Sequence, residues 1–505
     1  MNSIKKNLVS NYIGSFGITI IQLLSVPIYL ECLGKSAYGM VGFYTTLQAV
    51  FTVFDLGLSA TFNRELARST VNLEDKNYSK DLLKTFELIY WIIAILIGIF
   101  IVFFASLIAQ NWINDTTLSS ESKTTSIALM GILFIFRWPI ALYSGGLIGL
   151  QRQVMYNTIN FVVELVKALG AIFILKYISN NMTSFFMWQV IVTFLSVIVF
   201  AIVIRNFLPQ TDRKAQFKIS IVKDLSRFAI GMSGIAVVSI LLSQIDKIVL
   251  IKFVPISIFG FYTIASLIAS SLSRVSAPLG QTFYPRLVQL VEQKNEVTLV
   301  KTFHQACQLM SVCIVPVSIV ICFFSKQILF LWTHNEEVSN NSSAVLSILI
   351  IGYMFNSLAS VPYLLQLAFG WTKLTFYQNI FITIILIPFL IFITPKYGIL
   401  GVALFWMFVN MLILFVGANI MFEKIIKPER WNWLLNDVIK PILITLPIVG
   451  LFRFIFSQFI FPNQLMVAIF IVVTTLSSLV AATLNFGYTR TFFVKKIHTI
   501  IYAES

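Results

Sequence analysis

Long apolar stretches, separated by short polar connections, make up almost the whole chain. About fourteen of them lie near residues 12–30, 38–60, 86–109, 125–148, 157–178, 184–204, 228–253, 258–283, 305–331, 344–367, 378–394, 399–421, 441–461 and 465–487. A helix needs about 20 apolar residues to cross a bilayer, and most of these stretches are close to that length. Strands of a membrane barrel would instead alternate over about ten residues. The pattern predicts an all-α polytopic membrane protein with about fourteen transmembrane helices.

The composition agrees with this prediction and excludes several classes of protein. Of the 505 residues, 58% are hydrophobic and 11% are charged, whereas soluble domains carry about 25% charged residues. The net charge of +15 comes largely from basic residues in short loops, so we expect no nucleic-acid partner. The cysteines and histidines have no metal-binding or catalytic spacing, and no P-loop motif is present. The outer loops are too short for a catalytic domain, so we expect a transporter without cofactor or metal, not an enzyme.

The distribution of basic residues predicts the orientation of the chain. Of the 36 Lys and Arg residues, 25 fall in the two tails and in every second loop, and 6 fall in the opposite set of loops. Cytoplasmic loops carry the excess of Lys and Arg in membrane proteins. Both termini of this multi-pass protein are therefore predicted to be cytoplasmic.

A weak internal repeat divides the chain. Residues 149–152 resemble residues 370–373, and Tyr156 matches Tyr377 at the same offset of 221 positions. Two six-helix halves in the same orientation form a parallel repeat, which in transporters places the substrate site between the halves. The predicted division is a six-helix lobe at 1–210, a second six-helix lobe at 211–425, and an extra helix pair with a cytoplasmic tail at 426–505.

Charged residues inside the apolar stretches are the main functional signal. Two neighbouring stretches between Phe228 and Arg286 contain Asp246, Lys247 and Arg274. A charge at bilayer depth costs about 2.5–3.5 kcal/mol on insertion scales, so such residues normally face protein, water or a ligand. This hairpin is therefore predicted to line a hydrated, cationic cavity.

The intramembrane cations are candidates for binding an anionic head group. Arg137 and Arg274 lie near the middle of their spans, and Pro278 cannot bond the carbonyl of Arg274, which predicts an irregular backbone there. Lys167 belongs to the candidate site as well, although its spacing from Glu164 also fits an ion pair within one helix. Candidate substrate-binding residues are Arg137, Lys167, Arg274 and Lys247, the last close enough to the outer surface to reach it.

The intramembrane acids have two alternative interpretations. Asp55, Glu164 and Asp246 are candidates for a coupling or gating role, yet each could also be a paired structural charge. For Asp55 the structural alternative is a contact with Arg64 or Arg68. A separate cation, Arg453, lies outside the repeat and is a candidate contact for a lipid or for another helix.

Several short motifs resemble those of bacterial polysaccharide flippases. The motifs lie at 38–39, 54–59, 63–64, 149–153, 246–250, 259–262 and 284–286. In order and spacing they resemble the Wzx-type O-antigen or capsule-unit flippases of the multidrug/oligosaccharidyl-lipid/polysaccharide exporter superfamily. The resemblance covers at least the first twelve predicted spans.

This resemblance implies a substrate, a mechanism and partners. Such proteins move an undecaprenyl-pyrophosphate-linked oligosaccharide to the outer leaflet by alternating access, coupled to a proton or sodium gradient. Polysaccharide polymerase and chain-length machinery are further candidate partners. Lipid II or teichuronic-acid exporters of the same superfamily remain alternatives. A multidrug cation extruder would need an acidic cavity, whereas the intramembrane charges sum to +2.

Overall fold

The computed structural model describes residues 2–55, 57–69, 76–209, 213–222, 242–371 and 373–485. These residues are almost entirely helical, and no strand occurs within the described ranges. Within these ranges, eleven helical stretches are long and apolar enough to cross a membrane. The predicted all-α polytopic class is therefore confirmed.

Two of the long helical stretches contain a sharp bend at a glycine. Gly34 (φ 77°) interrupts the first stretch and Gly398 (φ 54°) interrupts a later one. Positive φ is strained for residues with a Cβ atom, so glycine suits both bends. Each bent stretch holds two of the predicted spans. The predicted span 228–253 lies mostly outside the described residues, and the count of fourteen stays a prediction.

The chain forms two compact units, Met1–Gly260 and Phe261–Ser505. The described helices of the first unit are α1 (Asn2–Phe51), α2 (Leu58–Ser69), α3 (Lys76–Phe103), α4 (Ala105–Asn111), α5 (Ser120–Gly149), α6 (Gln153–Tyr177), α7 (Met182–Phe207) and α8 (242–253). The next helix, α9 (Ile256–Ser270), begins in the first unit and ends in the second. A short 3₁₀ turn, Thr52–Asp55, follows α1.

The second unit contains the remaining helices. They are α10 (Ser273–Glu292), α11 (Glu296–Phe323), α12 (Ser325–Thr333), α13 (Glu336–Ala368), α14 (Lys373–Leu412), α15 (Ala418–Lys424), α16 (Arg430–Asn432), α17 (Lys440–Gln458) and α18 (Gln464–Leu484). Two π-helical segments, Ile413–Gly417 and Trp433–Ile439, and a 3₁₀ turn, Lys427–Glu429, lie among them.

Side-chain caps define where several helices begin. Ser119, Asn181, Asn295, Asn335 and Asn463 each accept a hydrogen bond from a backbone N–H of the first turn. Such caps satisfy N–H groups that have no partner inside the helix. The sequence thus marks these five boundaries with the residue types that favour them.

The outer faces of the helices are apolar, as expected in lipid. On α3, Leu96, Ile99 and Phe103 have exposed fractions of 64%, 56% and 78%. The opposite face of α3 packs so closely on α5 that a Cβ atom built at Gly131 would lie 3.0 Å from the carbonyl oxygen of Gly98. Small residues inside and large apolar residues outside are typical of helices that pack in a bilayer.

Candidate functional site

A tight turn between α5 and α6 places two charged residues at the same depth. Leu150–Arg152 reverse the chain, with Gln151 in the left-handed conformation (φ 56°). Arg137 lies fourteen positions before Gln151, and Glu164 lies thirteen positions after it. At about 1.5 Å per residue, both side chains start roughly 20 Å from the turn.

The two helices bring three predicted site residues into one cluster. Oε1 of Glu164 lies 3.8 Å from Nη1 of Arg137 and 3.5 Å from Nζ of Lys167. The predicted pairing of Glu164 with Lys167 within α6 is therefore present, and Arg137 joins it from α5. Two cations and one carboxylate give the cluster a net charge of +1.

The members of this cluster differ in burial. The side chain of Lys167 is 9% exposed, that of Glu164 is 20% exposed, and that of Arg137 is 38% exposed. Nε1 of Trp188 on α7 donates a hydrogen bond to the carbonyl of Lys167, at 3.2 Å. Lys167 is thus the fixed, buried member of the cluster, and Arg137 is the accessible one.

Asp55 has hydroxyl partners close to the end of α1. Its carboxylate accepts hydrogen bonds from the hydroxyl of Ser59, at 2.7 Å, and from the hydroxyl of Tyr90 on α3. Arg68, one of the two predicted partners, lies 4.0 Å from Glu65. These contacts anchor the turn between α1 and α2 to α3, and the coupling or gate role of Asp55 stays a prediction.

The two candidate residues on α8 differ in burial. Asp246 is 6% exposed, whereas Lys247 is half-buried. Nζ of Lys247 donates a hydrogen bond to Oε1 of Gln244, at 3.3 Å. The roles predicted for Asp246 and Lys247 stay predictions.

Arg274 lies just after a break in the helix of the second unit. Two residues, Ser271 and Leu272, separate α9 from α10, and the N–H of Arg274 bonds the carbonyl of Ser271 in a tight turn at 3.0 Å. The irregular backbone thus precedes Arg274, and α10 continues through Pro278. The side chain of Arg274 is half-buried.

Arg453 lies against aromatic rings. Its guanidinium carbon is 5.3 Å from the ring centre of Phe324 and 5.4 Å from that of Phe456. Stacking on aromatic faces stabilises a cation in a dry environment. The helix contact considered for Arg453 is therefore present, and the lipid contact stays a prediction.

A second cluster in the first unit was not anticipated from the sequence. Asp81 on α3 is 1% exposed and lies 2.8 Å from both Nη2 of Arg213 and Nζ of Lys218. It also accepts a hydrogen bond from the backbone N–H of Gln216, at 2.8 Å. Asp81 therefore fastens residues 213–218 to the start of α3. The sequence signal for this cluster is weak: Asp81 lies just before the predicted span 86–109, and the loop that contains residues 213–218 is basic.

Two further polar networks lie near helix ends. Glu87 accepts hydrogen bonds from Tyr143, at 2.6 Å, and from Arg205. In the second unit, His304 bonds both Asp437 and Glu429, the latter at 3.0 Å. The first network connects α3, α5 and α7, and the second connects α11 to the segment that leads into α17.

The described residues contain no group of three or more His, Cys, Asp or Glu side chains arranged to hold a metal ion. The charged clusters above combine acids with Lys, Arg or a single His. Their chemistry is therefore the binding of ions or polar groups through charge and hydrogen bonds.

Comparison with known families identifies the kind of protein. Residues 4–291, more than half of the chain, match the family described as polysaccharide biosynthesis protein. The chain belongs to this family. Residues 230–392 also match the MatE family. Both matches agree with the exporter superfamily that the sequence motifs resemble.

Relatives of this family member agree with that placement. It is 23% identical over 412 residues to a Shigella flexneri protein named "Putative O-antigen transporter", covering 80% of this chain and 94% of the relative. Its fold is similar to that of the lipid II flippase MurJ in an inward closed conformation, with a TM-score of 0.72 at 16% identity over 96% of this chain and 99% of the other. An inward-facing multidrug MATE transporter gives a TM-score of 0.66 at 14% identity over 81% and 94% of the two chains. At these identities the two structures show a shared fold alone.

Proposed function

We propose that this protein moves undecaprenyl-pyrophosphate-linked oligosaccharide units across the bacterial inner membrane. The observation that carries the proposal is the cluster of Arg137, Glu164 and Lys167, which has a net positive charge between two apolar helices. Charges in such helices are costly and normally serve a pathway or a ligand. A pyrophosphate group supplies the negative charge and the oxygen acceptors that Arg and Lys bind.

The sign of the cluster favours an anionic over a cationic substrate. With two cations to one acid, the cluster attracts phosphate oxygens and repels a cationic drug. Membership of a polysaccharide biosynthesis family adds independent support, because the flippases that the motifs resemble carry glycan units linked to a pyrophosphate lipid. The relative named an O-antigen transporter points to the same class of cargo.

The remaining candidate residues have supporting roles in this proposal. Arg274 and Lys247 are further contacts for the anionic head group, and Arg453 contacts the lipid part of the substrate. Asp55 and Asp246, together with Glu164, are the candidates for a gate or for carrying a proton or sodium ion. Each of these roles is separately testable by substitution.

The proposed mechanism is alternating access driven by an ion gradient. In this proposal both termini are cytoplasmic, two six-helix lobes occupy 1–210 and 211–425, and an extra helix pair follows at 426–505. The cavity accepts the sugar head group and pyrophosphate from the cytoplasm, while the polyprenyl tail stays in lipid. Polysaccharide polymerase and chain-length machinery would receive the unit on the outer side.

Complementation tests the proposal against its alternatives. The gene is expressed in strains that lack an O-antigen or capsule-unit flippase, a lipid II flippase, a teichuronic-acid exporter, or the main multidrug exporters. We expect surface polysaccharide to return in a strain of the first kind and no gain of drug resistance in the last. Rescue of lipid II or teichuronic-acid export would assign the chain to that cargo. Drug resistance without any glycan rescue would overturn the proposal.

A further inference from the structure

Glu164 holds both cations of its cluster through a single oxygen. Oε1 lies 3.8 Å from Arg137 and 3.5 Å from Lys167, whereas tight charge-assisted N–H···O bonds measure about 2.7–2.9 Å. Both N···O distances are therefore longer than those of tight bonds by roughly half an ångström or more. The carboxylate offsets one of the two positive charges without forming a tight bond to either cation.

The two cations are arranged so that a ligand can reach them. Arg137 has a planar fork of five N–H donors, and its side chain is 38% exposed. Lys167 is 9% exposed and lies on the backbone segment that Trp188 fastens to α7. An anion can thus approach from the exposed side of Arg137 and also be attracted by the buried positive charge of Lys167.

We propose that Glu164 is an internal counter-ion that the anionic group of the substrate displaces from Arg137 and Lys167. The inference rests on the proposed function and deepens it. Phosphoryl oxygens replace Oε1 at the two cations when the substrate binds, and Oε1 returns when the substrate leaves. A transport site must bind its cargo firmly enough to load it and weakly enough to release it. By competing with the anion, Glu164 keeps the affinity in that range.

The variant Glu164→Gln separates this role from that of an ordinary binding residue. Glutamine keeps the size and the hydrogen-bonding oxygen but removes the competing negative charge. We expect purified Glu164→Gln to bind inorganic pyrophosphate at least about tenfold more tightly than the wild type, by calorimetry in detergent. We also expect surface export to be at least about tenfold slower, because release becomes limiting. A residue needed only for folding or only for binding would lower both quantities.

Two matched variants control the experiment. Asp81→Asn removes a carboxylate that also lies between an Arg and a Lys of the first unit, and it should leave pyrophosphate affinity unchanged. The double variant Glu164→Gln/Lys167→Gln removes one cation together with the acid and keeps the net charge at +1. Its affinity and export should return toward wild-type values. If Glu164→Gln does not fold, Glu164→Ala removes the same negative charge and takes its place in the calorimetry.

The outcomes distinguish the inference from the proposed function. Pyrophosphate binding that is lost in Arg137→Ala but not tightened in Glu164→Gln would overturn the inference alone. Absence of pyrophosphate binding in the wild type and in both Glu164 variants would also overturn it. Tighter binding by Glu164→Gln, combined with failure of every glycan complementation, would support the counter-ion and overturn the proposed cargo.

Discussion

Two clusters in the first unit each contain one acid, one Arg and one Lys, but their ion-pair distances differ. The Asp81 cluster, with short distances, is called closed below, and the Glu164 cluster, with longer ones, is called open. Asp81 is 1% exposed and lies 2.8 Å from each of its two cations. Glu164 is 20% exposed and lies 3.5 and 3.8 Å from its cations. The composition of the two clusters is equivalent, so the difference must come from where they lie in the chain.

The backbone around each carboxylate explains the difference. Asp81 faces residues 213–218, which are not helical. The backbone N–H of Gln216 is therefore not used within a helix, and it donates a third short bond to Asp81. Glu164 lies inside α6 and meets Arg137 from α5, and the N–H groups along such helices already bond carbonyls of the same helix. Its two ion pairs are accordingly with side chains, those of Arg137 and Lys167. A closed cluster stabilises the fold, whereas an open one leaves charge available to a ligand.

Loss of a cation should affect export most strongly in the open cluster. Arg137→Ala removes the accessible donor, and losing one contact of a charged pair costs about 2–5 kcal/mol. Since 1.4 kcal/mol is a factor of ten, we expect surface glycan export to fall at least about 30-fold at equal protein level. Pulse labelling of surface glycan measures the rate, and immunoblotting of membranes measures the level.

The closed cluster provides the control for that experiment. Arg213→Ala removes the equivalent donor from Asp81, while Lys218 and the N–H of Gln216 remain. Export per molecule should stay within about twofold of the wild type, since each remaining bond to a buried carboxylate still satisfies it. Equal losses of export in Arg137→Ala and Arg213→Ala would contradict the distinction between the two clusters.

Loss of the acid should affect stability most strongly in the closed cluster. Asp81→Asn weakens three short bonds at a buried position, but its two cations are partly exposed and can turn to water. We expect the free energy of unfolding to fall by about 2 kcal/mol, since hydrogen bonds to charged groups contribute about 1.5–3 kcal/mol each. Thermal unfolding in detergent, followed by tryptophan fluorescence, measures the change. A smaller loss than that of Glu164→Gln would show that the open cluster is the structural one.

The sequence predicted the fold class because apolar length decides it. Stretches of about 20 apolar residues must become helices in a bilayer, and the described part of the chain contains eleven helical stretches that are long and apolar enough to cross one. The spacing of Glu164 and Lys167 likewise predicted their pairing. The contact between Arg137 and Glu164 was not predicted, but the sequence could have indicated it, since a turn at Gln151 places positions 137 and 164 at equal depth.

Other parts of the site could not be predicted in this way. The cluster at Asp81 depends on the path of residues 213–218, which have no periodic pattern. The bond between His304 and Asp437 depends on the π-helical segment Trp433–Ile439, because one extra residue per turn changes the direction of every later side chain. Such contacts follow from irregular backbone, and hydrophobic periodicity carries no information about it.

The smallest expected effect concerns the residue that fixes the buried cation of the open cluster. Trp188→Phe keeps an aromatic ring beside Gly170 but removes the N–H that bonds the carbonyl of Lys167 at 3.2 Å. A single hydrogen bond of this kind contributes about 1 kcal/mol, so we expect that loss of unfolding free energy and less than about a threefold change in pyrophosphate affinity. Thermal unfolding and calorimetry on the same preparation measure both. If the affinity instead fell as far as in Arg137→Ala, pyrophosphate binding would require the hydrogen bond from α7, and the open cluster would extend over three helices.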